Sequence, residues 1–276
     1  MTIEDHDCVI SRLRVGLGGL IAVETEASTH AIAEAAITTA FEAIAMVDRT
    51  MHPHRPGSDL VTLANADLGR WVEIHPWTWE VLQLCQMLNT CSAGVFEPCL
   101  DEAPGRMRDM EFMAPRGVRV CERVRIDLGG IAKGYAVDRA LAALKAAGCT
   151  AGIVNAGGDL AVFGERARLI LCRFSEGSGF MPLKDAALAT SDVQALDRPA
   201  EHRGYYHGVR RGVVSDGHAS VCAPRAVLAD ALTKCVLLCE RKDVRAVLEH
   251  FRAREVHFAS VSPTLRTQFP SRDRSV

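Results

Sequence analysis

The sequence predicts an α+β domain, and three features predict it. Helix-like and strand-like segments come in clumps instead of strict alternation, two glycine pairs follow strand-like runs, and no repeat or low-complexity linker divides the chain. The 276 residues suit one large domain or two small ones, at about 100–200 residues per domain. Residues 1–265 are therefore read as one domain, and residues 266–276, the end of the polar, proline-broken SPTLRTQFPSRDRSV, as a loose tail.

Between Ser28 and Met51, the residues Ile32, Ile37, Phe41, Ile44 and Val47 recur at mostly three- and four-residue steps behind a Ser/Thr cap, which predicts an amphipathic helix. HPHRPGSD then reads as a loop. Pro76 opens a second helix with Val81, Leu84, Cys85 and Leu88 on one side, and Gly94 with Pro98 closes that region. Val118 to Leu128 alternates enough to make two short strands or one bent one. From Gly134, the series Ala136, Val137, Ala140, Leu141 and Leu144 describes a helix ended by Gly148. Gly152–Val154 and Leu160–Phe163 read as strands around NAGGD, and Leu169–Cys172 as another. Two helices follow, at about Arg225–Cys239 (Val227, Leu228, Leu232, Cys235 and Val236 inward) and Asp243–Arg254 (Val244, Val247, Leu248 and Phe251 inward).

Composition narrows the function. The chain is 48% hydrophobic and 24% charged with a formal charge of -2, so bulk electrostatics predicts no nucleic-acid partner, and any phosphate chemistry must come from a local site. No apolar run approaches the roughly 18–20 residues of a membrane span. The opening MTIEDHDC carries acids where a secretory signal carries bases, so a cytoplasmic protein without a membrane anchor is expected. The ten cysteines are scattered without a CxxC, which favours reduced, partly buried thiols.

Three segments can carry chemistry. In Ile126-Asp-Leu-Gly-Gly-Ile-Ala-Lys-Gly-Tyr-Ala-Val-Asp138, a strand meets paired glycines and then a helix. Glycines allow close backbone approach, free N–H groups at a helix start favour phosphate, and Lys133 adds a point charge. The same segment also suits a plain tight turn with a solvated lysine, and it matches neither GxxxxGK[ST] nor GxGxxG. Asn155-Ala-Gly-Gly-Asp159 alone reads as a hairpin or bulge. In Ala229-Asp-Ala-Leu-Thr-Lys234, the residues Asp230, Thr233 and Lys234 share one helix flank, facing a cleft or forming a surface pair worth a few tenths of a kcal/mol.

Together these segments resemble the ApbE-type FAD:protein FMN transferases. The matching motifs are DLGGIAKGYAVDRA, VNAGGDLAVFG, LATS at Leu188–Ser191 and APRAVLADAL at Ala223–Leu232, with echoes in HRPGSDL and SAGVFEP, over about Arg12 to Cys239. The resemblance implies a T-fold-like α+β architecture, a single large domain of mixed or antiparallel sheet packed by helices. It also implies an enzyme that splits FAD and attaches FMN to a Thr or Ser hydroxyl of an acceptor flavoprotein, releasing AMP. By the same resemblance, Asp127, Gly129 and Lys133 contact FAD, and Asp159 with Val95, Phe96 and Glu97 lines the flavin or adenosine pocket. Mg²⁺ is implied on Asp230 and the Gly130 carbonyl, with Thr233 and Lys234 alongside. Mg²⁺ accepts one or two carboxylates when substrate phosphates complete its shell.

The departures from the family pattern bear on this reading. Lys234 stands where the family has Thr, His54 where a Tyr stacks near the flavin, and Leu17-Gly18-Gly19 where Met-Gly-Thr is usual. HxxDPRTG is reduced to Tyr205-Tyr206-His207-Gly208-Val209-Arg210-Arg211-Gly212, leaving His207 as the candidate general base. A protonated lysine cannot ligate Mg²⁺. Either Thr233 or a water supplies the missing oxygen, Lys234 moves to the β-phosphate and Mg²⁺ binds only with FAD, or the ammonium takes the metal's place and the protein binds FAD with weak or no turnover. A non-catalytic FAD-binding carrier or sensor, and a slow FAD pyrophosphatase, are the alternative functions.

Overall fold

The structure, a computed structural model, describes residues 8–174, 177–192 and 217–257. Its centre is a seven-stranded sheet in the order β1-β2-β6-β7-β10-β11-β12 with every neighbouring pair antiparallel. The strands are β1 (Cys8–Gly16), β2 (Gly19–Ala27), β6 (Ala151–Ala156), β7 (Asp159–Phe163), β10 (Ala187–Asp192), β11 (His218–Ala223) and β12 (Arg254–Glu255). Three helices cover one face: α1 (His30–Met51) lies on β1 and β2, α4 (Ala132–Ala146) on β6 and β7, and α5 (Ala226–Leu238) on β10 and β11. The α+β expectation is met, in antiparallel form.

The helices form where their apolar periods fall. Thr29 caps α1 by accepting the Ile32 N–H at 3.2 Å, and Ala33, Ile37, Phe41, Ile44 and Val47 are buried. Ile32, expected inward, faces solvent on the first turn. α1 has the length and apolarity of a membrane span, yet its apolar side is buried against the sheet and α4. α3 (Pro76–Cys91) starts at the predicted proline, with His75 Nδ1 accepting the Trp77 N–H at 3.2 Å. α6 (Arg241–His250) buries Val244, Val247 and Leu248.

Several elements escaped the sequence reading. The β1–β2 hairpin did, because β1 is an edge strand that turns Val9, Leu13 and Val15 outward and buries only Ile10. Its alternation therefore pointed away from the core. The loop after α1 contains α2 (Asp59–Ala64), capped by Ser58, and β3 (Trp71–Glu73) joins β5 (Gly117–Val120) and β4 (Met110–Met113) in a small antiparallel sheet. The strand read over Val118–Leu128 thus ends at Val120; beyond it only Ile126 bridges, to Cys99. On the second face of the large sheet, β8 (Arg168–Phe174) and β9 (Gly177–Leu183) form a ribbon whose Ile170, Cys172, Met181 and Leu183 cluster with Leu160, Val162, Leu188 and Cys222. All ten cysteines are free thiols and seven of them are buried, as small apolar groups would be.

α4 and α5 approach closely. A Cβ on Gly134 would lie 2.3 Å from the Ala226 carbonyl oxygen, so no larger residue fits at the existing spacing. Asp138, one turn further along α4, accepts the first N–H groups of α5, from Ala226 at 2.7 Å and Val227 at 3.1 Å. A carboxylate there satisfies two orphan donors and sits at the positive end of the helix dipole. Asp138→Ala is therefore expected to cost about 1–3 kcal/mol in urea unfolding, while an exposed control such as Asp67→Ala stays near zero.

Candidate active site

The sheet and its helices bring four ionisable side chains together. Lys133 sits in the first turn of α4, Asp159 opens β7, and Asp230 and Lys234 lie one turn apart on α5. The Lys133 Nζ donates to Asp159 Oδ2 at 2.5 Å. The Lys234 Nζ donates to Asp230 Oδ1 and, at 2.9 Å, to the Asp230 carbonyl oxygen. The two pairs feel each other electrostatically: Asp230 acts on Lys133 and Asp159, and so does Lys234. The result is a compact group of two cations and two anions.

Burial overturns the surface-pair reading of Asp230 and Lys234. Asp230 is 0% exposed, Lys234 6% and Asp159 1%. Charges taken so far from water persist only when paired and hydrogen-bonded. Burial opposes the charge on Lys133, but Asp159 and Asp230 outweigh it and hold its pKa above the ordinary lysine value. Burial first, then the Asp230 charge, push Asp159 upward to about 6 despite Lys133 and Lys234. A carboxyl with a raised folded pKa binds more protons folded than unfolded between the two values, so its contribution to stability falls as pH rises through that interval. Between about pH 4 and 6, wild type is therefore expected to lose on the order of 2 kcal/mol relative to Asp159→Asn. Urea unfolding of both proteins across that range checks it.

The two glycine turns hold the group. Gly157 and Gly158 have φ of 69° and 102° and form the two-residue turn from β6 to β7, with Ala156 opposite Asp159. The hairpin reading of NAGGD is correct, and the hairpin is also what delivers Asp159 to Lys133. In the other turn, Asp127 Oδ1 accepts the Gly129 N–H at 2.6 Å. The N–H groups of Ile131 and Ala132 bond to the Leu128 carbonyl at 3.0 and 2.8 Å, and that of Gly134 to Asp230 Oδ2 at 3.0 Å. These three amides, expected free for a phosphate, are already satisfied within the protein. The helix begins at Ala132, two residues before the predicted Gly134, and the turn leaves the Lys133 side chain as its main offering to an anion.

The proposed metal donors do not fit Mg²⁺ as they stand. Asp230 Oδ1 is occupied by the Lys234 ammonium and Oδ2 by the Gly134 N–H. The Thr233 hydroxyl donates to the Asp230 carbonyl at 2.7 Å, and Ser191 Oγ lies 2.7 Å from Thr233 Oγ1. A Cβ on Gly130 would lie 3.4 Å from Lys234 Cε, so the lysine stem packs against that glycine. Two unit charges about 4 Å apart interact by about 4 kcal/mol near a protein surface, and a dication doubles it. No set of three His, Cys, Asp or Glu side chains is placed for a metal among the described residues.

The remaining predicted residues are placed as follows. Glu97 accepts the N–H groups of Cys99 and Met107 at 3.0 and 3.2 Å, which ties the loop after α3. Phe96 is buried in the core, its N–H held by Ser92 Oγ at 2.9 Å, and Val95 packs half-buried on the same core. His54 is exposed, with Nδ1 3.2 Å from Arg125 Nη2, two residues before Asp127. Leu17 and Gly18 form the β1–β2 turn. His207 lies outside the described residues. The sequence reading gave Ser191, Gly134 and Asp138 no role in the site. Gly134 carried a signal, since a glycine inside a helix costs about 1 kcal/mol against alanine and calls for a packing reason.

Comparison with known proteins agrees with this fold. The family model described as ApbE family matches residues 17–104 and 102–258. A protein named FAD:protein FMN transferase from Rhodobacter capsulatus is 29% identical over 175 residues, covering 54% of this chain and 34% of that protein, so the match spans about a third of the relative's length. The apo flavinyl transferase ApbE of Pseudomonas stutzeri superposes with a TM-score of 0.75 at 15% identity, covering 92% of each chain. The flavin transferase ApbE of Vibrio cholerae gives 0.73 at 16% identity over 90% of this chain and 93% of that one. The ApbE protein of Thermotoga maritima gives 0.70 at 22% identity, over 89% and 91%. A family match over most of the described chain, on a fold shared with these structures, has one reading: the chain belongs to the ApbE family.

Proposed function

We propose that the protein is an FAD:protein FMN transferase acting on a Thr or Ser hydroxyl of an acceptor flavoprotein. The observation that carries the reading is the group of half-buried Lys133 with buried Asp159, Asp230 and Lys234 between two glycine turns, in a member of the ApbE family whose Rhodobacter capsulatus relative bears that name. An FAD diphosphate is a dianion, and such a group offers it ammonium charge held in a fixed direction by ion pairing. Lys133 lies at the start of α4, where the helix dipole also favours an anion.

In the proposed reaction the acceptor hydroxyl oxygen attacks the FMN-side phosphorus, the bond from that phosphorus to the bridging oxygen breaks, and AMP leaves with that oxygen. The hydroxyl proton passes to a base, the role the family resemblance gives to His207. Lys133 holds the diphosphate, and Asp159 keeps Lys133 charged and aimed. Mg²⁺, which the resemblance implies, has no fitting donor set among the described residues.

The test is to incubate the purified protein with FAD and a flavodoxin-like or redox-subunit acceptor, with and without Mg²⁺. AMP release together with a fluorescent protein band after denaturing electrophoresis is the expected result. AMP without a labelled acceptor would indicate a pyrophosphatase, and neither product a carrier.

A further inference from the structure

The second cation of the buried group has a different consequence from the first. Lys234 is 6% exposed, its ammonium is in contact with both the side chain and the carbonyl of Asp230, and its stem packs on Gly130. Asp230 and Gly130 are the two residues that the family resemblance assigns to Mg²⁺. In this chain one lysine already reaches both, its ammonium on Asp230 and its stem against Gly130. The placement is reinforced from several sides: the Gly134 N–H holds the second oxygen of Asp230, and Thr233 bonds to the Asp230 carbonyl and meets Ser191 from β10.

The charge balance points the same way. With Lys133 and Lys234 protonated and Asp159 and Asp230 ionised the group is neutral, so an incoming diphosphate meets two ammoniums whose charge it can share. Adding a dication would place it against both lysines on one carboxylate, and a desolvated site weakens such repulsion little. Lysine is suited to the role as a compact point charge on a flexible stem, able to turn from Asp230 toward a phosphate oxygen.

We propose that Lys234 is a built-in cation that takes the place of the divalent metal, so that this protein grips the FAD diphosphate without Mg²⁺. The inference rests on the transferase reading for its ligand, FAD, but concerns binding and is read by binding. FAD affinity of the wild-type protein, measured by quenching of flavin fluorescence, is expected to differ by less than about threefold between EDTA and millimolar MgCl₂. Manganese titrated into the FAD-loaded protein should show no tightly bound signal in electron paramagnetic resonance.

Lys234→Met is expected to weaken FAD binding about tenfold or more in EDTA. Lys234→Arg keeps the cation, and so covers the case in which the Met variant fails to fold; it is expected to bind FAD independently of Mg²⁺. The proposal is overturned if Mg²⁺ tightens wild-type binding about tenfold or more, or if a folded Lys234→Met binds FAD as well as wild type in EDTA. FAD bound only with Mg²⁺ removes this inference and leaves the transferase reading standing. No FAD bound under either condition removes both.

Discussion

Asp230→Ala is expected to lower the thermal midpoint by about 10 °C. Asp230 answers two donors at once, the Lys234 ammonium on Oδ1 and the Gly134 amide on Oδ2, and its own burial is complete. Alanine leaves a lysine that is 6% exposed without its carboxylate and an amide inside the α4–α5 interface without an acceptor. Removing one partner of a buried ion pair costs about 3–5 kcal/mol, more than the pair itself contributes. Asp230→Asn keeps the shape and an acceptor oxygen for Gly134, so it should lose less stability while still removing the negative charge beside Lys234. Differential scanning calorimetry of the three proteins separates the cases, and an alanine variant within about 2 °C of wild type would contradict the argument.

Gly134→Ala pits two effects of opposite sign against each other. Helix propensity alone favours alanine by about 1 kcal/mol. Packing opposes it, because the new methyl would lie 2.3 Å from the Ala226 carbonyl oxygen and 2.8 Å from Asp230 Cβ. Neither obstacle is the loose end of a flexible side chain; one is backbone and the other belongs to a carboxylate held at both oxygens. Relief requires α5 to move away from α4, which stretches the Gly134–Asp230 hydrogen bond and loosens the Asp138 cap. Overpacking typically costs about 1–3 kcal/mol, and two hydrogen-bond sites depend on the same spacing. Net destabilisation of about 2 kcal/mol or more is therefore expected in urea, together with weaker FAD binding. A variant more stable than wild type would show that α5 yields without cost.

Much of the scaffold was legible because it is written in local pattern. The apolar period of Ile37, Phe41, Ile44 and Val47 and the cap at Thr29 specify α1 from neighbours three and four residues away. Pro76 and Gly148 mark helix ends through backbone geometry alone. The site motifs were legible as segments too, since glycine pairs beside Lys133 and Asp159 stand out from any apolar background. The edge strand β1 was not, because its exposed Val9, Leu13 and Val15 reverse the inside-outside pattern on which strand recognition depends.

The sequence by itself determined the α+β class, the main helices, the two glycine turns and the residues in and beside them that bear charge. It left open whether Asp230 and Lys234 face a cleft or pair at the surface, and whether the Gly134 amide awaits a ligand. Tertiary structure decided both. Lys133 meets Asp159 from 26 residues away, and Asp230 meets the Gly134 amide from 96. Such partners follow from how β7, α4 and α5 stack, and no local period encodes that. Burial then sets the energetics, because the same Asp–Lys spacing that is worth a few tenths of a kcal/mol in water becomes obligatory once water is excluded.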